Sequence, residues 1–374
     1  MKLIPLIICL LFVSCSSNRK LAFPDRAPGS LQDKTLAYDL ESLSGDLSEG
    51  QFFEFIKEAQ NRKYEKVVFA PKEPLIRKAS FGNETYVAGD FFVLIGTNFA
   101  GNDEVIRKGD YDDVYAVAKR MAWLKFRVTI NLVASIDDLK TALANNRPTI
   151  IVWTSHGNQQ SFYDFNQVPV PSTIFKDASP SVYQFHLASC EGYQAIQNKY
   201  LPHIPSTMKH WAWQVLTYHP GTLKPHFDQE TWNPFINYPG GTFTNKGLSC
   251  QKKDERFVIF DGIKKAQIGE FSYDKAETCN YVVANASDKL VCNKKGEKWE
   301  IYQRKSLNVI PGTPFDNHYD CHSRITNVNK NKMCRRFEDT NQLHAIDITT
   351  LVRSEDGFTN LWDCYDYIEK TNDT

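Results

Sequence analysis

From Asp90 to Ser189 the chain switches repeatedly between two apolar rhythms. "DFFVLIGTNF" is an almost unbroken apolar run. "DYDDVYAVAKRMAWLKF" follows, placing Val114, Val117, Ala118, Met121 and Leu124 on one helical face with aspartates near its start. "RVTINLVA" is rich in β-branched residues. "SIDDLKTALANN" opens with Ser135 as an N-cap and Asp138 at the third helical position, a near capping box. "PTIIVWTS" and, after a polar connection, "SVYQFHLAS" are again continuous apolar runs. The order β-α-β-α-β-loop-β, with strands apolar throughout, predicts an α/β fold. Its sheet is mostly parallel, buried on both faces and flanked by helices.

The flanks read differently. Residues 16–45 are polar and turn-rich, a tether. "SEGQFFEFIKEAQNRK" predicts a short helix capped by Ser48, with Phe52, Phe55, Ile56 and Ala59 at helical spacing; it either packs on the main domain or is a removable pro-segment. After Cys190, "YQAIQNKYL" suits a helix and "MKHWAWQVLTY" a strand. A Pro, Gly and Asn-rich segment from His219 to Gly241 reads as a boundary. Beyond it come strand-like pieces ("ERFVIF", "AQIGEFSY", "NYVVAN", "KWEIYQ") and many lysines. The expected organisation is an export signal over 1–14 and a tether with a short helix over 15–85. An α/β domain follows over 86–240, and a cysteine-rich β domain over 241–374.

Composition changes this picture in two places. The formal net charge is zero and no long single-sign run occurs, which argues against a nucleic-acid surface. The first residues, "MKLIPLIICLLFVSCSSN", hold one lysine and an apolar stretch from Leu3 to Val13, too short to span a bilayer but fit for an export signal. Ser14-Cys15-Ser16-Ser17 resembles a bacterial lipoprotein cleavage site, with Phe12 in place of the usual leucine. On that reading Cys15 carries lipid and the mature protein is anchored in the cell envelope; a plain secretory signal is the alternative.

Of nine cysteines, Cys9 leaves with the signal and Cys15 takes lipid. Six of the remaining seven lie in the last third, and export favours disulfides over zinc, whose C-x₂-C spacing is missing. Cys279 to Cys292 and Cys321 to Cys334 have equal spacing, each with an asparagine six places on (Asn285, Asn327). This suggests a duplicated, disulfide-closed hairpin, and pairings Cys279–Cys292, Cys321–Cys334 and Cys250–Cys364. Cys190 is left as a free thiol.

In a parallel α/β sheet, chemistry gathers at the carboxyl ends of strands. Two runs end there in reactive groups, one in His156-Gly157 and one in Cys190-Glu191-Gly192. A cysteine attacks an acyl carbon as thiolate and needs a base or cation beside it. Backbone N–H groups of Gly157 and Cys190 could hold the oxyanion. This pattern, a strand ending in His-Gly and a later one in Ala-x-Cys, resembles the caspase-like clan of cysteine peptidases. The clan includes caspases, metacaspases, legumains, gingipains and clostripain. The likeness covers 86–218. It implies His156 as general base, Cys190 as nucleophile and Gly157 with Cys190 as oxyanion hole, acting on a peptide or protein substrate without metal or other cofactor. Ala188-Ser189-Cys190-Glu191-Gly192 departs from the caspase Gln-Ala-Cys-x-Gly signature, and the His–Cys separation is shorter. No residues match an acidic or basic primary pocket.

Around this pair, Asp164 could orient the imidazole, and Glu191, Trp211 and Trp213 could line a groove. His186, on the face of Ala188 and Cys190, is expected to be a hydrogen-bonded core histidine, and His210 to pack with the tryptophans. The implied function is an exported, lipid-anchored cysteine endopeptidase, a hydrolase of peptide bonds. The alternative is an inactive caspase-like lipoprotein serving as a scaffold or binding protein.

Overall fold

The computed structural model describes residues 21, 34–71, 88–97, 104–214, 223–227, 232–239 and 243–371. The export signal expected over 1–14 and the lipidation expected at Cys15 fall outside the described residues. Seven strands build one sheet: β1 (Thr35–Asp39), β2 (Lys66–Ala70), β3 (Asp90–Gly96), β4 (Arg127–Asn131), β5 (Thr149–Ser155), β6 (Val182–Ala188) and β7 (Lys209–Ala212). Their spatial order is β1-β2-β4-β3-β5-β6-β7. All neighbours run parallel except β2 and β4.

β5 and β6 are buried at every position, because helices and loops cover both sides of the central strands. One face carries Ile150 and Val152, packed with Val114, Ala118 and Met121 of α2 (Glu104–Trp123). The other carries Ile151, Trp153, Phe185 and Leu187, packed with Leu139 and Leu143 of α3 (Ile136–Leu143). Ser135 and Asp138 form the full capping box of α3, as the sequence predicts. At the start of β3, buried Asp90 pairs with Arg127 of β4 at 2.8 Å and accepts from Asn145 Nδ2 at 2.7 Å. That charge ties the amino ends of neighbouring strands together.

α1 (Glu49–Asn61) is capped by Ser48 and buries Phe52, Phe53, Phe55, Ile56 and Ala59 in the main core. It is therefore an integral layer of the domain. The sheet also takes in β1 and β2, both from the stretch read as tether and helix. Five-residue strands with mixed burial leave a weaker signature than the fully apolar central runs.

The C-terminal region is a tandem array of three similar units. Each has a β-hairpin and then a helix: β9 (Leu248–Lys253), β10 (Arg256–Asp261) and α6 (Ala276–Ala284); β12 (Leu290–Lys295), β13 (Lys298–Gln303) and α7 (His318–Thr326); β14 (Lys332–Phe337), β15 (Gln342–Asp347) and α8 (Leu361–Lys370). Short β8 (Thr244–Asn245) and β11 (Ala266–Gln267) extend the first hairpin, and α4 (Gly192–Ala195) and α5 (Leu223–Phe227) lie earlier, in the α/β domain. In every unit a residue of the second strand exchanges backbone hydrogen bonds with an aromatic ahead of the helix: Phe257 with Tyr273, Trp299 with Phe315, Leu343 with Phe358.

The disulfides are Cys250–Cys279, Cys292–Cys321 and Cys334–Cys364. The pairings expected from the spacing are therefore incorrect. Cys279 and Cys292 belong to consecutive units, and their equal spacing with Cys321 and Cys334 records the repeat period. The helix of each unit lies across its own hairpin, so the near cysteine in space is the one on the first strand. "NYVVAN", expected as a strand, is the body of α6. Its β-branched residues favour a strand locally, but they are the apolar face with which the helix meets the core. The start of α6 at Lys275 has no side-chain cap, whereas Asn317 and Asn360 cap α7 and α8. Buried Arg304 of the second unit pairs with Asp261 of the first at 3.0 Å.

Non-reducing peptide mapping should recover three bridges, each within one unit. Replacing Cys334 and Cys364 together by alanine should lower stability by on the order of 3–4 kcal/mol, the chain-entropy value for a loop of 30 residues. The other two bridges should survive. Any cross-unit bridge in the wild-type map would contradict this arrangement.

Candidate active site at the ends of two strands

β5 and β6 pair in parallel, with Thr154 opposite Ala188. Both strands end there, and the loops that carry His156 and Cys190 follow at once; Gly157, next to His156, packs against Ser189 and the Cys190 carbonyl. His156 is exposed, and Cys190 is partly exposed and free of any disulfide.

The backbone here is tightly built. After His156 the chain turns back at once: Gly157 bridges Phe162, and the Tyr163 N–H donates to His156 O at 3.1 Å. Asn158 Oδ1 accepts from the N–H groups of Gln160 and Ser161, both at 2.9 Å. A Cβ on Gly157 would lie 2.7 Å from Ser189 Oγ and 3.1 Å from Cys190 O. Only glycine permits this approach. After Cys190 the chain makes a sharp elbow. Glu191 adopts φ 52°, in the left-handed region, and Gly192 begins α4. A Cβ on Gly192 would sit 3.0 Å from Ser189 Oγ. Strand, thiol, elbow and helix thus present Cys190 at a strand tip.

The structure separates the other candidates. Asp164 is buried, and its Oδ1 accepts from the N–H groups of Asn166 and Val168, both at 2.9 Å. It braces its own loop. Glu191 accepts from Gln159 Nε2 at 2.8 Å, which ties the elbow to the loop after His156. Gln159 had no signal in the sequence, since an amide in a polar loop looks like any other. Trp213 accepts through its carbonyl from the Tyr193 N–H at 2.8 Å, so the end of β7 abuts the same elbow. Trp211 lies deeper, opposite His186 in the register, with the two rings stacked at 4.5 Å. His210, half-buried opposite Phe185, faces the other side of the sheet.

His186 is the hydrogen-bonded core histidine expected. Gln184 Nε2 donates to the carbonyls of Asn233 and Ile236. Its Oε1 therefore accepts from Trp232 Nε1 and from His186 Nε2, each at 3.2 Å. That leaves His186 Nδ1 as an acceptor for His226 Nε2–H at 2.7 Å. Burial holds His186 well below its usual pKa, reinforced by His226, and burial brings His226 down to about 4. Both rings are neutral at pH 7.

Comparison with protein-family models, with curated proteins and with solved structures finds no match. Fold and site define a class in physical terms: a mostly parallel α/β sheet with a histidine and a non-disulfide cysteine just past adjoining strand ends, followed by a disulfide-bonded array.

Two outcomes follow. Gly157→Ala should destabilise by about 1–3 kcal/mol through overpacking. Adding Ser189→Gly should recover most of that loss in a urea double-mutant cycle; no recovery would mean the two strand tips do not touch. The second concerns pH. An unfolded histidine takes up its proton near pH 6.5, whereas His226 in the fold waits until about 4. The unfolded chain therefore binds more protons in that window. Stability is full above about 6.5 and falls as pH drops toward 4. His226→Gln should flatten the urea midpoint over this range, and an unaltered slope would contradict the pairing.

Proposed function

We propose that this chain is an exported cysteine endopeptidase of the caspase-like kind, anchored through lipid on Cys15. What supports the reading is that His156 and Cys190 directly follow the paired carboxyl ends of β5 and β6, where Gly157 packs against Ser189 and the Cys190 carbonyl. Cys190 is also the one cysteine among the described residues that takes no part in a disulfide. Three disulfides fit an oxidising compartment. Among the described residues, no helix is long and apolar enough to cross a membrane.

In the proposed reaction His156 takes the Sγ proton and the thiolate attacks the scissile carbonyl carbon. Backbone N–H groups of Gly157 and Cys190 stabilise the oxyanion. His156 returns the proton to the leaving amine as the thioester forms. Water, activated by His156, then releases the acid and regenerates the thiol. The rigid loop of Gly157 and the Glu191 elbow hold the two backbones without further cost at the moment of reaction.

Cys190→Ala should abolish hydrolysis of a mixed peptide library while leaving the melting temperature near wild type. His156→Ala should slow alkylation of Cys190 by iodoacetamide at neutral pH. Wild-type protein that cleaves nothing, with a Cys190 thiol alkylated at the same rate in both forms, would leave a scaffold as the function. Hydrolysis retained by Cys190→Ala would refute the nucleophile outright.

A further inference from the structure

A cavity lies where the α/β domain meets the disulfide array, between α2, α5, α6 and α7. Its volume is about 410 Å³, within the range of small-molecule sites. Three cations line it: Lys119 and Arg120 of α2 and Lys224 of α5. None of its described lining residues is acidic, although Glu49 and Asp113 behind Lys224 interact with it electrostatically. Trp123, Tyr281 and His322 supply aromatic walls, with the His322 ring centroid 5.8 Å from that of Tyr281 and 6.5 Å from that of Trp123.

Arg120 is already fixed. It donates to Phe227 O and, at 2.7 Å, to Tyr281 Oη, and stands 5.4 Å over the Trp232 ring. Lys119 is steadied by Tyr115 Oη at 2.9 Å. Such a cluster of fixed positive charge attracts an anion at little reorganisation cost.

His322 supplies the second, independent observation. It is only 3% exposed, yet neither ring nitrogen has a hydrogen-bond partner among the described residues. A buried polar group left unsatisfied destabilises the fold. A bound group that hydrogen-bonds the ring would remove that cost.

We propose that this cavity is a binding site for a small organic anion with an aromatic or apolar body. The anionic head meets Lys119, Arg120 and Lys224, its body lies against Trp123 and Tyr281, and a polar edge reaches His322. Carboxylate and phosphate heads share the required chemistry.

The test is calorimetric titration of the full chain with phenyl phosphate and with benzoate, alongside benzyl alcohol and inorganic phosphate. Saturable binding of either aryl anion, tighter than both controls, is the expected result. Phenyl phosphate above benzoate would identify a phosphate head, and the reverse order a carboxylate. Lys224→Gln, at an exposed position, should fold normally and weaken binding roughly tenfold, the value of one charge-assisted hydrogen bond. His322→Leu should weaken binding while keeping or raising the melting temperature. The proposal is overturned if neither aryl anion binds saturably, if benzyl alcohol binds equally well, or if Lys224→Gln leaves the affinity unchanged.

Discussion

Just past the tip of β5, Gly157 comes so close to Ser189 and the Cys190 carbonyl that it has no room for a methyl group. Everything chemically notable around Cys190 depends on that approach. It fixes the loop after His156 against Ser189, forces the turn at Glu191, and starts α4 immediately afterwards. Parallel pairing alone would bring the two strands to within a strand spacing. Gly157 lets the loop after His156 close onto Ser189 and the Cys190 carbonyl, a tighter approach than a residue with a Cβ would allow.

Much of this was legible from residue patterns. The central strands announce themselves because they are buried on both faces, and Ser48 and Ser135 mark their helices through hydroxyl caps. His156 and Cys190 stood out since both interrupt an apolar run at its carboxyl end. What stayed hidden was long-range. β1 and β2 join a sheet edge where half-buried residues suffice. His226 meets His186 across 40 residues of chain, a contact that no local pattern encodes. The interval between Cys279 and Cys292 was visible as a regularity, but its meaning required knowing that α6 folds back over β9.

The two halves of the molecule are joined by polar as well as apolar contacts. Arg120 reaches from α2 to Tyr281 of α6, and Asn233 Nδ2 donates to Glu277 O at 3.2 Å. Gln184, in the middle of β6, holds the segment around Asn233 by two backbone carbonyls. A chain of hydrogen bonds thus runs from the strand that ends at Cys190 to the first disulfide-bonded unit. Buried polar links of this kind select one docking geometry where apolar packing would tolerate several.

The disulfide pattern bears on how the chain matures. Each bridge joins a cysteine to the next one along the chain, about thirty residues later, and none links one unit to another. On the proposed export route the partners would emerge in sequence, so a bridge could close as soon as its helix clears the exit. Vectorial oxidation by a simple thiol oxidase then yields the native set without an isomerase. The thiol at risk is Cys190, which emerges before all six. Its safety rests on the sheet closing around it before Cys250 follows.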